Sequence, residues 1–154
     1  MAVPVQHVIE TVQEASYKPE RLVLLVGGPG SGKSKILREL STIRGWKYVD
    51  TRSLITDEIL ELAPKARPQQ APHLMAEALE ELNGEVILLD GIEVLFAPVL
   101  NIEPLALIRQ ISRKHTLVVG WPGTFADGKL AVDYNGKRTD YATTVDTITI
   151  ITIG

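Results

Sequence analysis

The sequence predicts an α/β three-layer sandwich around a mainly parallel five-stranded sheet, with no lid domain. Three observations predict it. Apolar runs of strand length alternate with segments of helical spacing. The first such run, Leu22-Val23-Leu24-Leu25-Val26, leads directly into Gly27-Gly28-Pro29-Gly30-Ser31-Gly32-Lys33-Ser34, which fits G-x-x-x-x-G-K-[ST]. A later run, Val86-Ile87-Leu88-Leu89, ends in the carboxylate of Asp90. Strand, glycine loop and helix start together specify the P-loop NTPase form of that sandwich. The 154 residues suit one domain, with an N-terminal helix and linker over 1–19 and the core over 20–154.

Taken in order, Val5, Val8, Ile9 and Val12 fall at i, i+3, i+4 and i+7, so Pro4 to about Ser16 reads as an amphipathic helix. Tyr17-Lys18-Pro19-Glu20 connects it to the first strand. After the glycine loop, Ile36, Leu37 and Leu40 carry a helix to about Ile43, with Gly45 as its stop. Trp46 to Asp50 reads as a second strand. Leu54, Ile55, Ile59 and Leu62 suggest a helix broken by Pro64, and Pro64, Pro68 and Pro72 make Lys65 to Gln70 a surface loop. Leu74, Met75, Ala78, Leu79 and Leu82 resume helical spacing up to Asn83-Gly84, with Met75 as core filler.

Val86 to Asp90 is a buried strand, and Leu105, Leu107, Ile108 and Ile111 mark the next helix. Thr116 to Gly120 is a fourth strand, with Trp121-Pro122-Gly123 as a turn that packs its aromatic. Asn135-Gly136 predicts a hairpin between Leu130–Tyr134 and a Thr/Ile-rich tail. Thr147 to Ile153 alternates as a final strand, and the tail from Thr143 is an aggregation hazard if unpaired.

Composition narrows the function classes. A hydrophobic fraction of 45% and a charged fraction of 23% are ordinary for a globular domain. The absence of cysteine excludes disulfides and thiolate metal sites, and fits a reducing cytoplasm. No apolar run approaches a membrane span, and the N-terminus lacks the pattern of a secretory signal. A net charge of −3 argues against a free-standing nucleic-acid binder, leaving Ser112-Arg113-Lys114-His115 as the densest basic cluster for any local DNA contact. His7, His73 and His115 lack ligand spacing for zinc. Neither Ser31 nor Ser34 has a histidine partner pattern for nucleophilic catalysis.

The loaded residues point to Mg-ATP. Gly27, Gly28, Pro29, Gly30, Ser31 and Gly32 let backbone N–H groups face a polyphosphate at a helix N-terminus. Lys33 would reach the β- and γ-phosphates, and the Ser34 hydroxyl would hold magnesium. Asp90, about 55 residues further on, has the place of a Walker B acid that fixes the same ion with Ser34. Glu93 is the nearest group to orient water. It swings toward the phosphates if the chain turns at Gly91-Ile92, and faces away if the strand continues. Arg109, Arg113 and Arg138 are candidate arginine fingers or ordinary solvated arginines, and Thr124 is a poor match to a γ-phosphate sensor. A small-molecule or nucleotide kinase is the rival reading, with Asp50-Thr51-Arg52 where an acceptor would bind. A non-hydrolysing, ATP-dependent scaffold is another.

Several segments together resemble one family. Leu88-Leu89-Asp90-Gly91-Ile92-Glu93-Val94-Leu95-Phe96, Ser112-Arg113 before a Val-rich strand, Gly120-Trp121-Pro122-Gly123, Asp140-Tyr141 and Arg67-Pro68-Gln69 are similar to BrxF, the small P-loop protein of type 3 BREX phage-defence loci. The resemblance runs nearly end to end. It implies a nucleotide-binding subunit of a multi-protein system that modifies host DNA and restricts phage, with defence-system proteins or further copies of itself as partners. It implies phosphate and magnesium binding at Gly27, Gly32, Lys33 and Ser34, and the Walker B role at Asp90. Glu93 matches in position. No function carries over to Gly128-Lys129 through Arg138, which reads as an ordinary hairpin.

Overall fold

Residues 4–141 and 148–153 are described in the computed structural model of the chain. Helix α1 (Val5–Ala15) buries Val8, Ile9 and Val12 of the stripe that its spacing predicts, and Ala15 beside them, while Val5 is only partly buried. Strand β1 (Leu22–Gly27) is buried along its whole length, and α2 (Lys33–Arg44) ends at Gly45 in the left-handed conformation that stops helices. Then come β2 (Lys47–Asp50), a 3-10 turn over Thr51–Leu54, and the single-turn helix α3 (Asp57–Leu60). Helix α4 (Arg67–Glu80), β3 (Val86–Asp90), 3-10 turns over Ile92–Phe96 and Pro98–Leu100, and α5 (Pro104–Ile111) follow. Strands β4 (Thr116–Ala126), β5 (Lys129–Tyr134), β6 (Lys137–Tyr141) and β7 (Thr149–Thr152) complete the described elements.

Five strands lie side by side in the order β2-β3-β4-β1-β7, and each neighbouring pair is parallel. The mainly parallel five-stranded sheet is therefore present, extended to seven strands by the antiparallel β5 and β6. Val23, Leu25, Leu88 and Val118 pack toward α1 and α2, whereas Leu24, Leu89, Leu117 and Val119 pack with Met75, Leu79 and Ile108 of α4 and α5. Burial on both faces is why these strands read as unbroken apolar runs. Right-handed crossovers explain the layers: α2 carries the chain one way across the sheet, α4 and α5 carry it back, and so they cover opposite faces. The carboxyl ends of β1 and β3, where ligands bind in such sheets, flank β4.

The structure corrects the sequence reading in four places. No continuous helix spans Leu54 to Leu62; a 3-10 turn and one helical turn share that stretch. Lys65 to Gln70 is not a surface loop, because α4 already begins at Arg67 with Pro68 in its first turn, where an N–H is not needed. Arg67 is buried and ties the segment down, donating from Nη2 to Leu60 O at 2.8 Å and from Nη1 to Val99 O at 2.7 Å. Trp121-Pro122-Gly123 is not a turn, since β4 runs straight through it. Pairing with β1 extends to Gly27↔Pro122, after which Gly123 opens the antiparallel ladder with β5. The β3 ladder has already stopped at Val119, so Pro122 sits where one side of the strand is no longer paired. Finally, the Asn135-Gly136 hairpin joins β5 to Lys137–Tyr141, not to the Thr/Ile-rich tail. That tail supplies β7, which pairs with β1, while residues 143–147 lie outside the described residues.

Where β4 changes partner, packing is tight. The Trp121 ring is fully buried, donates from Nε1 to Ala131 O at 3.0 Å, and meets Phe96 and Tyr141 edge-on at 5.6 Å. At Gly123 a Cβ would stand 1.9 Å from Ala131 O. Backbone cannot yield as a side-chain tip can, so Gly123→Ala is expected to lower unfolding stability by about 3 kcal/mol. Urea denaturation against the parent chain measures it, and an unchanged midpoint would show that β5 can shift freely.

Candidate functional site

The glycine loop leaves β1 at Gly27 and closes on α2. Its first residue has no room to spare: a Cβ at Gly27 would lie 2.4 Å from Ser31 Oγ and 3.0 Å from Ile153 O. Ser31 N–H donates to Gly28 O at 3.2 Å, which folds the loop, and Gly30 through Lys35 line a shallow cup of about 260 Å³. The first N–H groups of α2 have no carbonyl of their own helix to bond, so this cup favours an anion. Lys33 bends back over it, donating to Gly27 O at 2.7 Å and Gly28 O at 2.9 Å. Burial lowers the Lys33 pKa, and the charges of Glu93 and Asp90 act in the opposite sense.

Asp90 ends β3 beside this loop. The Ser34 hydroxyl donates to its Oδ1 at 3.0 Å, and Gly91 N–H donates to the same oxygen at 3.0 Å. The Tyr48 hydroxyl donates to Oδ2, and Thr51 Oγ1 donates to the Asp90 carbonyl at 2.8 Å. Helix α2, strand β2 and strand β3 thus converge on one carboxylate. For Tyr48, burial first, then the hydrogen bond to Asp90 and its charge, raise the hydroxyl pKa, while Arg38 opposes the shift.

Immediately after Asp90 the chain turns. Gly91 has φ 68° and starts the 3-10 segment Ile92–Phe96, so β3 does not continue and Glu93 stays on the loop side. Of the two alternatives the sequence left open, the turn is the one present. Glu93 is exposed and lines a chamber of about 560 Å³ with Lys33, Ser34 and Asp90. Arg38, Tyr48, Asp50, Arg52 and Tyr134 complete its outer wall. There Arg52 pairs with Asp50 at 2.8 Å, and its side-chain and backbone hydrogen bonds hold the Asp50 carboxyl below its ordinary range.

Other sequence candidates lie elsewhere. Arg109 and Arg113 converge on the buried Glu20 just before β1, at 3.0 Å and 3.6 Å, at the end of the sheet opposite the glycine loop. They anchor α5 to β1 and do not serve as arginine fingers within this chain. Arg138 pairs with Asp140 on β6 at 3.2 Å, and Thr124 is exposed on β4 opposite Ala131, outside the chamber lining. Trp121 is core and does not border the loop. Among the described residues, no cluster of three or more His, Cys, Asp or Glu could hold a metal, and no helix is long and apolar enough to cross a membrane.

Sequence reasoning missed Tyr48, Arg38 and Tyr134. Tyr48 shares a strand face with Asp50, whose register partner is Asp90, and only that sheet pairing brings it to the site.

No protein-family model and no curated protein matches this chain. Among solved structures it is similar to PCH-2 from C. elegans, at 18% identity and a TM-score of 0.48 over 97% of this chain and 41% of that one. The chain thus spans about two fifths of that protein's length.

Removing Arg109 should leave the buried Glu20 carboxylate with only the more distant, exposed Arg113 at 3.6 Å. Arg109→Ala is expected to cost about 1–2 kcal/mol of unfolding stability, less than a fully buried pair broken from one side, because Arg113 still faces Glu20. Ligand affinity at the glycine loop should be unchanged. Denaturation and binding measured on the same preparation separate the two effects.

Proposed function

We propose that this chain binds Mg-ATP through its glycine loop and acts as a weak or partner-activated ATPase. The single observation that carries the reading is the Ser34–Asp90 hydrogen bond. It joins the two motifs of a nucleotide site across 56 positions of sequence, with Lys33 and the cup beside it.

The residues fit the cofactor. Ser34 and Asp90 offer hard oxygen donors, the class that magnesium takes, and few protein ligands suffice because water and phosphate oxygens fill its other positions. The Ser34 hydroxyl donates its hydrogen bond to Asp90, so its lone pairs remain for a cation. When bound, the ion would neutralise charge on the β- and γ-phosphate oxygens. Gly27, Gly28, Pro29, Gly30, Ser31 and Gly32 would cradle the phosphates, and Lys33 would exchange its loop carbonyls for phosphate oxygens. Glu93, which lines the same chamber as Lys33, is the group to orient water and take its proton.

The resemblance to BrxF supports the wider role, a nucleotide-binding subunit of a multi-protein, BREX-type antiviral defence system in the cytoplasm. Other defence proteins or further copies of the chain would supply an activating cation.

One observation favours a second reading, a small-molecule or nucleotide kinase: Asp50 and Arg52 line the same chamber as Lys33 and Asp90. ADP release that rises on adding a hydroxyl acceptor, and not with magnesium and ATP alone, would select it.

Lys33→Ala and Ser34→Ala are expected to abolish or weaken Mg-ATP binding by more than about 30-fold without unfolding the chain. Isothermal titration with ATP, ADP and GTP in magnesium measures this, and undiminished affinity would remove the site. Glu93→Gln should bind ATP as the parent does and lose turnover by about 100-fold in a phosphate-release assay. Equal turnover would return Glu93 to the solvated surface.

A further inference from the structure

The two oxygens of the Asp90 carboxylate keep different company. Oδ1 accepts from Ser34 and from Gly91 N–H, both at 3.0 Å, whereas Oδ2 accepts from the Tyr48 hydroxyl. The final torsion of an aspartate is broad and nearly two-fold, so a carboxylate held at one oxygen can still swing. Holding the second oxygen stops that motion. Tyr48 is itself held, because it stands on β2 in register with Leu88, packs beside the α1–α2 core, and carries the Arg38 guanidinium 5.8 Å from its ring centre. Arg38 and Ser34 belong to the same helix, so α2 grips Asp90 directly through one residue and through the phenol with another.

Resting on the Mg-ATP reading, we infer that Tyr48 is a positioning residue of the metal site. Its hydroxyl locks the Asp90 carboxylate so that Ser34 and Asp90 meet the divalent cation as a preformed pair of oxygens. Tyr48 lies outside the loop cup, whose lining runs from Gly30 to Lys35. Its hydroxyl is committed to Asp90, so its effect is expected through the cation and not through the phosphates. Preorganised oxygens bind metal without first being gathered, which is the advantage lost when an outer hydrogen bond to a ligand is deleted.

The test is Tyr48→Phe, which keeps the ring and removes the oxygen. Isothermal titration with ATP is run in EDTA and across a magnesium series, beside thermal unfolding. The expected result is an ATP affinity in EDTA within about two-fold of the parent, an unchanged melting temperature, and a magnesium half-saturation raised about ten-fold. Arg38→Gln, which frees the ring and keeps the hydroxyl, should shift magnesium demand the same way by a smaller factor, and it serves alone if Tyr48→Phe does not fold. Magnesium half-saturation equal to the parent's overturns the inference, as does a loss of ATP affinity of the same size with and without metal. A parent chain that binds ATP and variants that match it would overturn this role for Tyr48 only. A parent chain that binds no ATP at any magnesium concentration overturns the nucleotide reading, and this inference with it.

Discussion

The site depends on one steric constraint, the absence of a side chain at Gly120. Strand β4 lies between β1 and β3, so the loop that leaves β1 and the carboxylate that ends β3 are two strand spacings apart, about 9.5 Å. Ser34 and Asp90 can touch only by reaching over β4. At the crossing point β4 carries Gly120, where even a methyl group would contact Leu37 Cδ1 at 3.5 Å, Lys33 Cβ at 3.6 Å and Asp90 Oδ1 at 3.8 Å. A methyl fits at ordinary contact distance. Anything longer would wedge α2 away from β3 and part the hydrogen bond on which the site is built.

The parallel core was legible because strands buried on both faces leave a simple trace, an unbroken apolar run, and β1, β3 and the first half of β4 each have one. The glycine loop and Asp90 were legible because each sits at the end of such a run. The stretch from Thr51 to Pro72 was not, since its shape comes from Arg67 bonding carbonyls of residues 60 and 99, partners that local pattern cannot reveal. Trp121-Pro122-Gly123 has turn chemistry by composition, yet β1 on one side and the arriving β5 hold it extended. The orientation of Glu93 hinged on a single backbone angle, at Gly91, that no periodicity encodes.

The ion pairs around Glu20 and the chamber beside the glycine loop lie at opposite ends of the sheet. At the amino end of β1, Glu20 draws Arg109 and Arg113 together, and Arg21 donates to the Arg113 carbonyl at 2.9 Å, sewing α5 to the strand that starts the glycine loop. At the carboxyl end, the charged and polar groups face the chamber and are less fully committed to one another. An exposed Glu93 and a lysine folded onto loop carbonyls are the groups there with freedom to rearrange, around an aspartate held at both oxygens.

Strand β4 has a mechanical meaning beyond its place in the sheet. Its eleven residues form one covalent strut, with one half wedged between β1 and β3 and the other half serving as the root of the β5–β6 hairpin. Tyr134, beside the hairpin tip, forms part of the chamber wall. A tug on the outer edge of that hairpin would therefore be felt twice, once as a change in the aperture beside Tyr134 and once as tension along the plank beneath Ser34 and Asp90.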